Sequence, residues 1–233
     1  MHIVIVSGFM TDSELWDDIL PSLQALGSVT HADVSRAATI PEMAQHVLTD
    51  APQHFAIIGF SMGGYVAREV VRLAPERVQA LVLVATSARA DTPEQARRKM
   101  ASVKAVNPLR FHGLSRTAVI GSLHPDRAGD EALIERVRAM SERVGAEVFM
   151  RHAAQVRESD LDHLAAIHCP TLIVAADGDA LRSLDEAREL KEGIEGATLT
   201  MVEKSGHMIP IEQPEKLVAA TVPWLRLLTK SSA

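Results

Sequence analysis

The 233-residue chain predicts an α/β protein: a doubly wound, mainly parallel sheet of about six strands, interrupted by a helical insertion. Three observations carry that expectation. Short β-branched or aliphatic runs recur at residues 3–6, 29–34, 55–58, 80–84, 171–175 and 198–202, and several are apolar on consecutive positions. That is the pattern of strands covered by helices on both faces. Segments of helical period separate the runs, as parallel strands require. Between about residues 90 and 160 the alternation stops and no strand is evident.

Taken in order, residues 3–6 are four β-branched residues leading into Ser7-Gly8, with no basic leader before them, so they read as a strand and not a secretion signal. Thr39-Ile40-Pro41-Glu42 is a capping box with proline in the first turn and opens a helix through Val47. Residues 63–73 have helical period and stop before Pro75. Residues 183–192 and 214–228 are helical too, the latter expected to kink or divide at Pro223, with a frayed tail at 230–233. In the strandless stretch, helices are expected at 93–106, 115–120, 131–144 and 148–156. It is too long for an ordinary crossover. The expected organisation is a core of residues 1–89 and 161–233 with a helical cap at 90–160.

Composition bounds the function classes. Hydrophobic residues make up 47% and charged residues 23%, ordinary globular values that exclude collagen, coiled coil and disorder. The longest apolar runs, 81–85 and 172–176, are too short to cross a bilayer. A formal charge of −6 argues against nucleic acid as a partner. Cys169 is the single cysteine, which excludes an internal disulfide and suits a reducing compartment. The expectation is a soluble, cytoplasmic protein.

Gly59-Phe60-Ser61-Met62-Gly63 matches G-x-S-x-G, directly after an expected strand and before an expected helix. A serine on such a sharp turn projects from the carboxyl edge, and the flanking positions leave no room for side chains. A random chain of this length shows the bare pattern roughly 5–10% of the time, so the strand–turn–helix setting carries the weight. A serine hydroxyl needs an aligned base. Of the ten histidines, His207 follows the last expected strand at the carboxyl edge, where a parallel sheet presents its sites. His2, His31, His46 and His54 lie in strands, at strand starts or in a helix, and read as structural. His112, His124 and His152 belong to the insertion. The base in turn needs a carboxylate. Asp177-Gly178-Asp179 follows the expected strand 171–175, and either aspartate can serve. No histidine pair shows metal-ligand spacing with a nearby carboxylate on one helix face, no G-x-G-x-x-G follows the first strand and no Gly-Lys-Ser/Thr is present, so neither a metal nor an organic cofactor is expected.

These stretches resemble the α/β-hydrolases, in particular the lactonase, esterase and non-haem haloperoxidase-like branch. The matching segments are Val6-Ser7-Gly8-Phe9, Gly59-Phe60-Ser61-Met62-Gly63-Gly64, Ala74-Pro75-Glu76-Arg77-Val78, Cys169-Pro170-Thr171-Leu172-Ile173-Val174, and Gly206-His207 with Glu212-Gln213-Pro214 behind it. The resemblance implies a Ser61–His207–Asp179 triad, because the family's acid follows its strand as G-x-x-D. It also implies an oxyanion hole from the backbone N–H groups of Phe9 and Met62, and that the insertion is a cap. Two departures stand out. Ser7-Gly8 replaces the family's usual His-Gly, and the chain starts at what would be the family's third strand.

The reaction so implied is hydrolysis of a small carboxylic ester or lactone through an acyl-enzyme. Carbon–carbon hydrolysis and perhydrolysis use the same triad, and a receptor-like module retaining it for ligand binding is a different class; turnover of small 4-nitrophenyl esters separates that module from an enzyme. Met10 and Met208 are expected on an apolar pocket wall. Residues 89–160 hold 13 Lys and Arg against 10 Asp and Glu, whereas the remainder holds 11 against 20. A basic lid over an acidic body favours a carboxylate-bearing substrate, with Arg157 and Arg110 the first candidates to hold it.

Overall fold

Residues 1–231 are described by a computed structural model. The first strand, β1 (His2–Val6), leads through a 3-10 turn at Ser13–Trp16 to α1 (Leu20–Gln24), β2 (Ser28–His31) and α2 (Ile40–Asp50). Next come β3 (Phe55–Phe60), α3 (Met62–Leu73) and β4 (Val78–Val84). Four helices without a strand follow: α4 (Pro93–Ala105), α5 (Arg116–Ile120), α6 (Glu131–Val144) and α7 (Ala146–Ala153). The chain then returns to the sheet as β5 (Thr171–Ala176), α8 (Leu184–Gly193), β6 (Thr198–Val202), α9 (Ile209–Glu212) and α10 (Pro214–Ser231). All six strands are parallel, in the order β2-β1-β3-β4-β5-β6.

The consecutive apolar runs are explained by two core layers. Ile3, Ile5, Ile58, Val82, Val84 and Val174 point to one face, against Trp16 and Leu217 and Leu225 of α10. Val4, Val6, Ile57, Leu83 and Ile173 point to the other, against Val66 and Val70 of α3 and Leu190 of α8. Side chains alternate along a strand, so covering both faces demands apolar residues at every position.

Several boundaries differ from the sequence expectation. The second strand ends at His31, not Val34, because β1 stops offering rungs; the last is Ala32 N–H to Ile5 O at 2.9 Å. Helix α7 covers Ala146–Ala153, not 148–156: Gly145 at φ 86° separates it from α6, and Val156, which looked like part of its apolar face, is 80% exposed. Helix α10 runs undivided through Pro223, and the tail expected to fray is helical to Ser231, with Ser232 and Ala233 outside the described residues. Helices α1 and α9 are too short to have shown a period. Among the described residues no helix is long and apolar enough to cross a membrane.

The strand order reverses at β1, with β2 on one side and β3 on the other, which opens a crevice beyond the carboxyl ends of β1 and β3. The helices between β4 and β5 dock over this end by pairing arginines with the acidic first loop: Arg136 with Asp18 at 2.5 Å and Arg143 with Asp12 at 2.8 Å. Part of the charge asymmetry is therefore used in docking. On α7, buried His152 faces Val34 O at 3.2 Å, and burial pushes its imidazole below the ordinary histidine range, as it does that of His31.

The unfolded chain binds these protons near pH 6.5, the folded chain only at lower pH. Their contribution to stability is thus complete above about pH 6.5 and is lost as acid titrates through the folded values, at most about 1.4 kcal/mol per pH unit per group. Urea unfolding at about pH 7.5 and about pH 5.5 should give a larger loss on acidification for the wild type than for His152→Gln. Equal losses would contradict the assignment.

Candidate active site

Ser61 sits between β3 and α3 at φ 52° and ψ −112°, a left-handed conformation that a non-glycine residue adopts at a cost. The flanking glycines permit it. A Cβ on Gly59 would lie 2.3 Å from Gly63 O, and one on Gly63 would lie 2.2 Å from Val6 O. The turn is held by Ser61 N–H to Val84 O at 2.9 Å and by the Thr86 hydroxyl, which donates to Ser61 O at 2.7 Å. Met62 opens α3, so its N–H stands in the first turn, where no intrahelical acceptor exists.

Structure brings the three residues of the inferred triad together. His207 Nε2 lies 2.9 Å from Ser61 Oγ, and His207 Nδ1 lies 2.8 Å from Asp179 Oδ2. An ionised carboxylate only accepts, so Nδ1 carries the proton and Nε2 is free to accept from the serine hydroxyl. Asp179 is aimed by its other oxygen, which accepts the N–H groups of Leu181 (2.8 Å) and Arg182 (2.9 Å). Asp177, the other aspartate, instead accepts from Ser205 N–H at 3.3 Å and braces the turn before His207. Serine and histidine are 7% and 5% exposed, at the floor of a cavity of about 990 Å³.

The first loop brings Phe9 beside this floor. Gly8 N–H donates to Thr11 Oγ1 at 2.9 Å and Thr11 N–H donates back to Gly8 O at 3.4 Å, so Phe9 lies at the centre of the turn. Ser7, where the resembling family has histidine, is an anchor: its Oγ accepts from Trp16 Nε1 at 3.0 Å and donates to Asp12 O at 3.2 Å.

Phe9, Phe60, Phe111, Phe149 and Met208 supply the apolar wall. Met10 is not on it; it is 1% exposed and packs with Phe149 and Ala153 beneath the surface. Arg157 lines the cavity with its guanidinium 5.2 Å from the Tyr65 ring centre, and Arg110 lines it from an exposed position. Cys169 lies at the opposite edge of the sheet, with its thiol pushed up to about 11 by burial, unsuited to nucleophilic work at neutral pH. Among the described residues, no three His, Cys, Asp or Glu side chains are grouped as metal ligands.

Two positioning residues were not found by sequence reasoning. Thr86 is one. Glu212 is the other: this buried carboxylate, its acidity weakened by burial, accepts Met208 N–H at 3.0 Å and His124 N–H at 2.7 Å. With His207 N–H to Ser122 O at 2.8 Å, it ties the histidine loop to the segment after α5. Glu212-Gln213-Pro214 was singled out, but nothing local indicates a partner 88 residues away.

The profile of the alpha/beta hydrolase family matches residues 3–221. The chain belongs to that family. Among curated relatives of this alpha/beta hydrolase, the pimeloyl-[acyl-carrier protein] methyl ester esterase of Klebsiella pneumoniae is 38% identical, over 40% of this chain and 40% of that protein's length. A thermophilic esterase from Thermogutta terrifontis, solved with malate bound, superposes with a TM-score of 0.84 at 26% identity, covering 98% of this chain and 90% of the other. The enol-lactonase of Burkholderia xenovorans superposes with a TM-score of 0.85 at 19% identity over 97% and 91% of the two chains, which speaks to fold alone.

Proposed function

We propose that this hydrolase cleaves a small carboxylic ester or lactone through an acyl-enzyme on Ser61. The observation that carries the reading is the unbroken relay from Ser61 Oγ through His207 to Asp179, with both contacts under 3 Å, opening into a cavity. Ser61 attacks the ester carbonyl as His207 Nε2 takes its proton, and Asp179 stabilises the imidazolium without becoming protonated. The N–H groups of Phe9 and Met62 receive the oxyanion, each such donor being worth about 3 kcal/mol in the transition state. The positive end of α3 adds to that field. His207 then protonates the leaving alcohol, and a water activated by the same imidazole releases the acid. Residues 90–160 act as a cap that supplies much of the apolar wall. The analogy with the Klebsiella and Thermogutta esterases supports an ester as substrate.

The test is steady-state hydrolysis of 4-nitrophenyl acetate and butyrate. Multiple turnovers at a constant rate are expected. A single stoichiometric burst without turnover would mark a binding module and overturn the enzymatic reading.

A further inference from the structure

At one part of the cavity wall the chain gathers more buried positive charge than it neutralises. Tyr65, itself buried, carries three guanidiniums over its ring: Arg68 at 4.8 Å, Arg157 at 5.2 Å and Arg182 at 6.0 Å. Arg68 is engaged in the body of the protein through Nε and Nη2, donating to both oxygens of Asp160 (2.7 and 3.1 Å) and to Ser87 O at 2.6 Å. The other two arginines line the cavity, together with Lys99 from α4. Their carboxylate partners are remote. Arg157 Nη1 is 4.0 Å from Asp91 Oδ1, and Arg182 Nη1 is 3.6 Å from Glu186 Oε1, beyond good hydrogen bonding in both cases. Glu186 Oε2 is in any case occupied by the Ser183 N–H at 2.6 Å. Lys99 donates to Asp91 and to Gln155 O.

The side chain of Arg157 is only 10% exposed and that of Arg182 14%, and the Nε–H of each is buried with no acceptor. Two other arginine nitrogens, Arg68 Nη1 and Arg138 Nε, are also buried and unpaired, but neither residue faces the cavity. A buried guanidinium donor without an acceptor is costly, and like charges facing one another add to the cost. Burial, followed by the repulsion of neighbouring cations, depresses the basicity of both Lys99 and Arg157. An anion in the cavity offsets the repulsion among these like charges, and a carboxylate matches the planar fork of a guanidinium.

We propose that Lys99, Arg157 and Arg182 form a subsite for a carboxylate carried by the substrate, making esters or lactones with a free carboxylate remote from the scissile bond the preferred class. The proposal rests on the reading of Ser61 as nucleophile. Three cations against Asp91 and Glu186 leave one net positive charge, which fits a monoanion rather than a dianionic phosphate. The subsite is joined to the catalytic floor through one loop, because the Arg182 N–H that aims Asp179 belongs to the residue whose side chain completes the cluster. Of the two arginines singled out from sequence, Arg157 thus acts with two residues that sequence did not place beside it, and Arg110 is not part of the cluster.

The experiment compares kcat/KM for monomethyl esters of the linear dicarboxylic acids from succinate to adipate with the matching dimethyl esters. It adds acetate esters of 4-hydroxybutyrate and 6-hydroxyhexanoate with their methyl esters, covering a carboxylate on the alcohol side. At least one anionic member is expected to exceed its neutral partner by about tenfold or more, mainly through KM. That ratio is expected to fall by about tenfold in Arg157→Met and in Arg182→Met, and by less in Lys99→Met. Binding of adipate to the wild-type protein, followed as a rise in Tm, is expected to disappear in Arg157→Met.

Ratios of one or below throughout, or ratios unchanged in all three variants, would overturn the subsite while leaving the nucleophile standing. Failure to hydrolyse either kind of ester would instead strike the nucleophile, and the adipate measurement then decides the subsite alone. Inorganic phosphate raising Tm more than adipate at equal concentration would overturn the carboxylate assignment. Lys99 lies on α4, which buries no residue of its own, so Lys99→Met reports on the subsite if an arginine variant fails to fold.

Discussion

Ser61→Ala lowers kcat for ester hydrolysis by about a million-fold, the loss expected when the nucleophile of a triad is deleted. The loss is this large because the hydroxyl that His207 Nε2 contacts, Ser61 Oγ at 2.9 Å, is the group removed. The folded state should hardly notice. Alanine meets the same left-handed φ of 52° that serine already tolerates, and the Thr86 hydroxyl still bonds the carbonyl at 2.7 Å. Urea unfolding should therefore place the variant within about 0.5 kcal/mol of wild type, while 4-nitrophenyl butyrate hydrolysis falls to background. Retained activity in a folded variant would place the chemistry elsewhere.

Trp16→Ala is the largest expected stability effect. The indole is fully buried, meets Phe60 edge-on at 6.4 Å, and donates from Nε1 to Ser7 Oγ at 3.0 Å. Truncation leaves a large cavity in the layer between the sheet and α10, and costs about 3–5 kcal/mol. Against a total stability of about 5–15 kcal/mol, the variant is close to its folding limit, with Tm lowered by roughly 10 °C or more. Activity should also fall, because Ser7 anchors the loop that holds Phe9, and Phe60 packs on His207 at 5.1 Å between ring centres. Chemical denaturation reads the first effect and kcat the second. A loss below about 1 kcal/mol would mean that the layer collapses around the gap.

What was legible in the sequence was what local sterics and periodicity dictate. Gly59 and Gly63 had to lack side chains because Gly63 O and Val6 O stand where Cβ atoms would be, and this requirement survives in the chain as a motif. The central apolar runs declared the sheet because both faces are covered there, whereas the edge strands β2 and β6 are only partly buried. The order Ser61, Asp179, His207 followed from which strands they end. Choosing between Asp177 and Asp179 from the residues alone was not possible, since both sit in one turn after β5 and only the path of the His207 loop separates them.

Features that depend on distant segments meeting left no local trace. Thr86 follows a different strand from the serine it braces. Glu212 reaches a residue after α5. Lys99, Arg157 and Arg182 come from three separate segments, and their convergence appears only once α4 and the Asp179 loop face the same cavity. Met10 was misplaced for the same reason, since nearness in sequence to Phe9 did not indicate which way its side chain packs. The departure at Ser7 acquired its explanation only when Trp16, nine residues on, was found beneath it.

The most direct test of the central claim is covalent capture of the nucleophile. Incubation with diethyl 4-nitrophenyl phosphate should release one equivalent of nitrophenolate and add one diethylphosphoryl group, located by peptide mass spectrometry on Ser61. The adduct should be absent in Ser61→Ala and should form far more slowly in His207→Ala. An adduct mapped to another residue, or equal labelling of wild type and Ser61→Ala, would contradict the account.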